Sequence, residues 1–382
     1  MGHWRRSHRI KGIKSVGTPH TPAGLAALHL LVLGLLAACS SSPAVSPASA
    51  SASAKPSAAA ASKAAGTTVR YGSIHSIGAD SAVFIAMDQG YFAEQGIDID
   101  VVDFATAVDM IPPLGTNQLE TGAGITSAAL WNAVNRGVTL KVVAGTSMSD
   151  PGPPPATVTT FVGRKALVDS GRLKTISDMK GLNVQAPPSG NGVELLWSLV
   201  FKKAGLTRSD VNSIQLPITE VGPAIQNGKL DVSATTEPAT TILTSQGAAV
   251  ALLHDYDVYP QAQAGVLMFG PEFAKSDLAL SYMTAFLKGA RLYNDAFVKK
   301  LPDARTKAIA ALTAHTALKN AALYDKMIVP RIDPNGPPNV KSLQDQQDYF
   351  VANGEQQKAV DINTVVDLSL AKAAAAKLGA YN

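Results

Sequence analysis

Thr68-Val69-Arg70-Tyr71-Gly72-Ser73, followed by Ser81 to Gln89 and then Ile97 to Phe104, is the stretch that decides the fold. Its outer pieces are short β-branched runs, as strands require. The middle piece is a helical stretch with Asp80 as its expected cap and Gly90 as its stop. The same unit recurs along the chain. A helix over Ser127 to Arg136 stops at Gly137 before a strand at Leu140 to Ala144. A strand at Asn183 to Ala186 leads to a helix over Val193 to Ala204, stopped by Gly205, and a helix over Val221 to Asn227 stops at Gly228 before a strand at Asp231 to Ala234. Strands that alternate with helices imply mostly parallel sheets joined by right-handed crossovers, so the class is α/β.

Two seams interrupt the alternation. Asp150-Pro151-Gly152-Pro153-Pro154-Pro155 predicts a stiff extended crossing, because proline excludes helix and weakens sheet pairing. Tyr259-Pro260 marks a second crossing, after which Gly265 to Phe269 reads as a return strand. Later segments read as helices. Over Asp277 to Lys300 the residues Met283, Phe286, Leu287, Ala290 and Phe297 share one face, with Ser276 as the expected cap, and helices follow at Asp345 to Asn353 and Asn363 to Leu378. The expectation is one lobe from residues 67–153 and 263–382, with a second lobe, 154–262, inserted between the seams.

The first 66 residues carry an address rather than a fold. Residues 1–38 hold Arg5, Arg6, Arg9, Lys11 and Lys14, no acid, and an apolar run from about Ala23 that ends in Leu36-Ala37-Ala38-Cys39. Small residues before a cleavage point are the mark of a signal peptide. The tetrad resembles the lipobox of bacterial lipoproteins, which implies a diacylglycerol on Cys39, the chain's one cysteine. Residues 39–66, nearly all Ser, Ala and Pro, cannot bury enough apolar surface to offset the entropy of ordering them, and read as a tether. Removing residues 1–38 takes away five cations and no anion, so the formal net charge falls from +4 to −1. A nearly neutral mature chain lacks the basic footprint of nucleic-acid binding.

Beyond these patterns, Ala86-Met87-Asp88-Gln89-Gly90-Tyr91-Phe92-Ala93-Glu94-Gln95-Gly96-Ile97 resembles the opening signature of the substrate-binding proteins of nitrate, taurine and alkanesulfonate ABC importers, relatives of the thiamine-pyrimidine-precursor binding proteins. Asp178-Met179-Lys180-Gly181-Leu182-Asn183-Val184, Gly228-Lys229-Leu230-Asp231-Val232 with Glu237-Pro238, and Gln344 to Gly354 resemble further blocks of that family in the same order. The resemblance implies a two-lobed periplasmic binding protein fold of type II, with two interlobe crossings and a small solute between the lobes. It further implies delivery of that solute to an ABC permease and its ATPase, an extracytoplasmic location on a lipid anchor, a monomer, and no cofactor. Lys165 to Arg172 and Gly78-Ala79-Asp80 depart from the family pattern at the cleft rim, so the ligand class does not transfer with the fold.

In open parallel sheets, ligands sit beyond the carboxyl ends of strands, where helix starts present N–H groups. That rule selects four loops: Ser73-Ile74-His75-Ser76, Gly124-Ile125-Thr126-Ser127, Pro188-Ser189-Gly190-Asn191-Gly192 and Thr235-Thr236-Glu237. The candidate ligand-binding residues are therefore Ser73, His75, Ser76, Thr126, Ser127, Ser189, Gly190, Asn191, Gly192, Thr236 and Glu237. Thr126 and Ser127 can equally be helix caps, whereas glycines around Asn191 permit close backbone approach. None of the four loops contains Lys or Arg. Glu237 beside an anion would be costly, so either it points away to start a helix or the ligand offers a donor. Trp131 and Trp197 read as core first and ligand walls second, and Tyr256 and Tyr259 are weaker candidates.

Catalytic readings find little purchase. An enzyme on this scaffold, such as a pyrimidine-precursor synthase, would be expected to carry a cysteine-rich segment. His75, His254 and His315 have no paired metal spacing, Gly122-x-Gly124 lacks the third glycine of a dinucleotide loop, and there is no Gly-x-Ser-x-Gly. A sensor subunit that presents the same ligand to a membrane kinase would share the binding chemistry.

Overall fold

The computed structural model describes residues 66–187, 189–216 and 218–381. The leader, Cys39 and the tether up to residue 65 lie outside them. Two five-stranded sheets form the framework. Lobe 1 contains β1 (Thr67–Ser73), β2 (Ile97–Asp103), β3 (Thr121–Ile125), β4 (Lys141–Met148) and β10 (Gln263–Phe269), in the order β2-β1-β3-β10-β4. Lobe 2 contains β5 (Thr160–Arg164), β6 (Asn183–Ala186), β7 (Asn212–Gln215), β8 (Val232–Thr235) and β9 (Ala249–His254), in the order β7-β6-β8-β5-β9.

Each sheet is parallel except for one strand, and the crossings explain which one. The chain leaves lobe 1 at the carboxyl end of β4 and so enters lobe 2 at the edge where strands end. Its first strand there must run backwards: Thr160 opens β5 opposite Thr235 and His254, the last residues of β8 and β9. On return, Gly265 near the start of β10 pairs with Ile125 and Ser147 near the ends of β3 and β4. The return strand is therefore antiparallel, and both crossings run beside the cleft.

Side-chain alternation puts core on both faces of each sheet. In β10, Leu267 and Phe269 join the cluster around Phe84, Tyr282 and Phe286, while Val266 and Met268 join that of Trp131 and Phe350. In β5, Phe161 and Val162 divide in the same way between two clusters. The 21-residue helix Asp277–Phe297 lies against Ile77–Asp88 so closely that a Cβ on Gly289 would fall 2.1 Å from the Ala82 carbonyl oxygen.

Several local expectations are corrected. The first helix spans Ile77–Asp88 and is capped by Ser76, whose Oγ accepts from Gly78 N; Asp80 lies inside the first turn and is buried. Ser276 occupies the cap position of its helix, but its hydroxyl donates to the Phe273 carbonyl instead. The helical stretch after Asn363 divides into Ile362–Val365 and Ser369–Leu378. Asp150 to Ala156 is not an extended crossing. Asp150 and Ala156 exchange both backbone hydrogen bonds at 2.8 Å, and Asp150 Oδ1 accepts from Gly152 N, so the prolines close a small loop. Arg331 fastens it, bonding Asp150 Oδ2 at 3.2 Å and the Pro154 carbonyl at 2.7 Å.

Candidate functional site

The lobe 1 rim begins where β1 ends. Ser73 pairs in register with Asp103, which brings the loop after β1 beside the end of β2. His75, at φ 51°, uses that proximity: Nε2 meets Asp103 Oδ1 and Nδ1 meets the His315 carbonyl, each at 2.7 Å. The Asp103 carboxylate raises the pKa of His75, whereas burial lowers that of His315. Ser73 Oγ accepts from His75 N, and the buried Asp80 carboxylate accepts from Tyr71 Oη and Ser76 N. Loss of water around Asp80 outweighs these donors and pushes its carboxyl up to about 6. Ser73, His75 and Ser76 are thus engaged in building their own loop.

The second and third loops meet across the cleft. Ala128 N donates to the Gly190 carbonyl at 3.0 Å, and Ser127 and Asn191 form an antiparallel bridge. Gly190 has φ +77°, and a Cβ there would come 3.1 Å from the Ala128 side chain, so both backbone shape and lobe contact favour glycine. Ser127 Oγ caps the helix Ala128–Asn135 at Leu130 N, and Asn191 Oδ1 accepts from Val193 N at the start of Val193–Ala204. Ser189 Oγ reaches Glu355 Oε1 of lobe 1 at 2.7 Å. Gly190 N donates to Glu194 Oε2. Burial first, and the Glu355 carboxyl next, push Glu194 up to about 7, with Arg208 Nη1 at 3.6 Å as partial compensation.

Between these contacts and the crossings lies a cavity of about 40 Å³. Thr126, Gly192 and Thr236 contribute to its wall, together with Thr159, Asp255 and Tyr259 from the crossings. Asp255, 1 % exposed, ties the crossings together, since its oxygens accept from Thr157 Oγ1 and from Val158, Thr159 and Tyr256 N at 2.8–3.1 Å. Burial nevertheless pushes its carboxyl up to about 6. Gln346, 4 % exposed on the helix Val340–Ala352, accepts from Thr126 Oγ1 at 2.6 Å and donates to the Gln263 carbonyl at 2.7 Å.

The structure places Glu237 at its own helix: its two oxygens accept from Thr241 N and Thr241 Oγ1 at 3.1 and 3.0 Å, and burial raises its pKa. Trp131 and Trp197 are buried in the two lobe cores, Trp197 edge-on to Phe161 at 4.8 Å. Thr159, Asp255, Gln263 and Gln346 escape a reading by strand ends, because they come from the crossings and from a helix some 220 residues beyond Thr126. The one local signal was a buried amide pair, Gln346-Gln347, on a helix face shared with Leu343 and Phe350. Among the described residues, no three of His, Cys, Asp and Glu are grouped as a metal site.

Two mixed sheets joined by two crossings, with a cavity at the carboxyl ends of their strands, define the two-lobed periplasmic binding protein class. Residues 80–296 match the sequence profile described as NMT1/THI5 like, and the chain belongs to that family. A Brucella abortus (strain 2308) protein, whose name calls it a binding protein only provisionally, is 23 % identical over 298 residues, covering 77 % of this chain and 88 % of that one. Among solved structures, a ligand-binding component of an ABC-type import system from Staphylococcus aureus superposes with a TM-score of 0.63 at 15 % identity, covering 81 % of this chain and 99 % of that one. The periplasmic aliphatic sulphonate-binding protein SsuA of Escherichia coli gives 0.60 at 20 % identity, covering 78 % and 91 %. The periplasmic nitrate-binding protein NrtA of Synechocystis PCC 6803 gives 0.62 at 13 %, covering 82 % and 89 %.

Proposed function

We propose that the protein is an extracytoplasmic solute receptor, held to the membrane by acylated Cys39, that captures a small solute between its lobes and delivers it to an ABC permease and ATPase. The lobes correspond to residues 67–153 with 263–382, and 154–262. The observation that carries this reading is the meeting of the lobes around the cavity, main chain to main chain, at Ala128 N and the Gly190 carbonyl. Contacts made only when the lobes approach give a ligand that touches both walls its leverage, because only differential affinity shifts a conformational population. Family membership supports the reading, as do fold neighbours named for ABC import, sulphonate and nitrate binding. Among the described residues no helix is long and apolar enough to cross a membrane.

The ligand-binding residues we propose are Thr126, Gly192 and Thr236 in the wall, with Ser127, Ser189, Gly190 and Asn191 closing over it. Ser73, His75, Ser76 and Glu237 support the rim. Calorimetry with sulfonates, taurine, nitrate and pyrimidines tests capture, and mass spectrometry of the mature amino terminus tests acylation. Compaction in small-angle X-ray scattering on adding a bound solute is the expected result. A scattering profile that no solute alters would refute the mechanism.

A further inference from the structure

The chemistry of the cavity wall narrows the solute class, on the premise that the solute-receptor reading holds. We infer that the site takes a small, uncharged, chiefly apolar solute and rejects oxyanions such as sulfonates and nitrate. Three observations converge on this.

First, Ile125, Val158, Val193, Leu195 and Leu196 give the wall a large apolar share, and no Lys or Arg stands among the described residues that form it. Second, several of the backbone donors around the cavity that could hold an oxyanion are already occupied by the protein. Ala128 N serves the Gly190 carbonyl, Val193 N serves Asn191 Oδ1, Gly190 N serves Glu194 and Thr241 N serves Glu237. Two of those acceptors are the carboxyl groups of Glu194 and Glu237, which compete with an anion for the same N–H groups. Third, the wall itself contains a carboxyl group, Asp255, buried and with all its donors supplied by the crossings. An anion brought beside it would be desolvated without a cation to compensate.

The polar groups that remain are few. The Gln346 amide accepts from Thr126 Oγ1 and donates to the Gln263 carbonyl, and the Gln263 amide donates to the Ser147 and Gly265 carbonyls and accepts from Asn339 N. Among the described residues of the wall, the hydroxyls of Thr159 and Thr236 have no protein hydrogen bond, and each can donate once and accept up to twice. An amide or alcohol on a short apolar body fits that supply once the lobes part, since the cavity of about 40 Å³ has room for little more than a water as it stands.

The test is calorimetry on the full chain with matched probes: butanamide and 1-butanol against propane-1-sulfonate and nitrate. The expected result is binding of the neutral probes at least about 100-fold tighter than the anions. Thr236→Val should weaken butanamide by about 10-fold through loss of one hydrogen bond. Equal or tighter binding of either anion overturns the proposed class while leaving the receptor reading intact. Undiminished butanamide affinity in Thr236→Val overturns the assignment of the site. Silence of all four probes up to tens of millimolar overturns the proposed class, while the receptor reading falls only if taurine and pyrimidines are silent as well.

Discussion

Lobe 1 and lobe 2 repeat one sheet plan, a reversed strand in fourth place that enters from the cleft, but they are backed very differently. Behind lobe 1 stand Asp277–Phe297, Pro302–His315 and Ser369–Leu378, packed on Ile77–Asp88 in one continuous core. Lobe 1 has a second cluster around Trp131 and Phe350 on the other face of its sheet, and lobe 2 divides its apolar residues in the same way, but both of its clusters, around Trp197 and around Ile225, are smaller. The sheet plan therefore follows from where the crossings deliver the chain, and the helical mass is a separate addition supplied by the carboxyl-terminal third. That addition also reaches the cleft, since Gln346 and Glu355 belong to it.

The unequal backing is most sharply tested by Phe286→Ala, which empties the centre of the lobe 1 core and should cost about 3–5 kcal/mol in urea unfolding. A loss below about 1 kcal/mol would show that the helical backing is not what holds lobe 1. Next in size is Gly289→Ala. Its Cβ would strike the Ala82 carbonyl, so two helices must part, at about 1–3 kcal/mol, and the melting temperature should fall accordingly.

A third outcome concerns the contact between lobes rather than within one. Glu194 faces Glu355 from the segment after Val340–Ala352, Tyr349 on that helix, and Arg208 in the turn Arg208–Asp210. Its folded pKa is raised from 4.5 to about 7, so the folded, lobe-touching state binds the extra proton. The stabilisation is fully present below about pH 4.5 and is lost as pH rises through about 7. Unfolding across that window should show this slope, and Glu194→Gln should flatten it; an unchanged slope would assign it to Asp80 or Asp255.

The smallest effect is at the lobe 1 rim. His75 should titrate above 6.5 and His315 below it in NMR, and Asp103→Asn should bring His75 down with little change in solute binding. Stability contributed by His75 is present below 6.5 and lost as pH rises through its raised value. Strong loss of solute binding in Asp103→Asn would return His75 to the binding site.

Local rules carried the sequence a long way. Asn183–Ala186 and Val193–Ala204 were legible to the residue, because the pattern changes from strand to helix there and Gly205 supplies a left-handed stop. Asp80 misled because an acid near a helix start looks like a cap, while its burial under Tyr71 is a tertiary fact. The proline run at 151–155 looked extended because the mutual bonds of Asp150 and Ala156 and the reach of Arg331 lie outside any local window. Of the cavity wall, Thr126, Gly192 and Thr236 were legible through the rule of strand ends. Asp255 was not, and the amide pair Gln346-Gln347 on an apolar helix face signals burial without announcing a cleft.

The bond from Ala128 N to the Gly190 carbonyl joins one lobe to the other through main-chain atoms alone. A clasp of that kind is indifferent to which side chains line the enclosure, so substitutions could retune what is captured without resetting how firmly the jaws meet. Selectivity and grip would then be free to evolve on separate schedules.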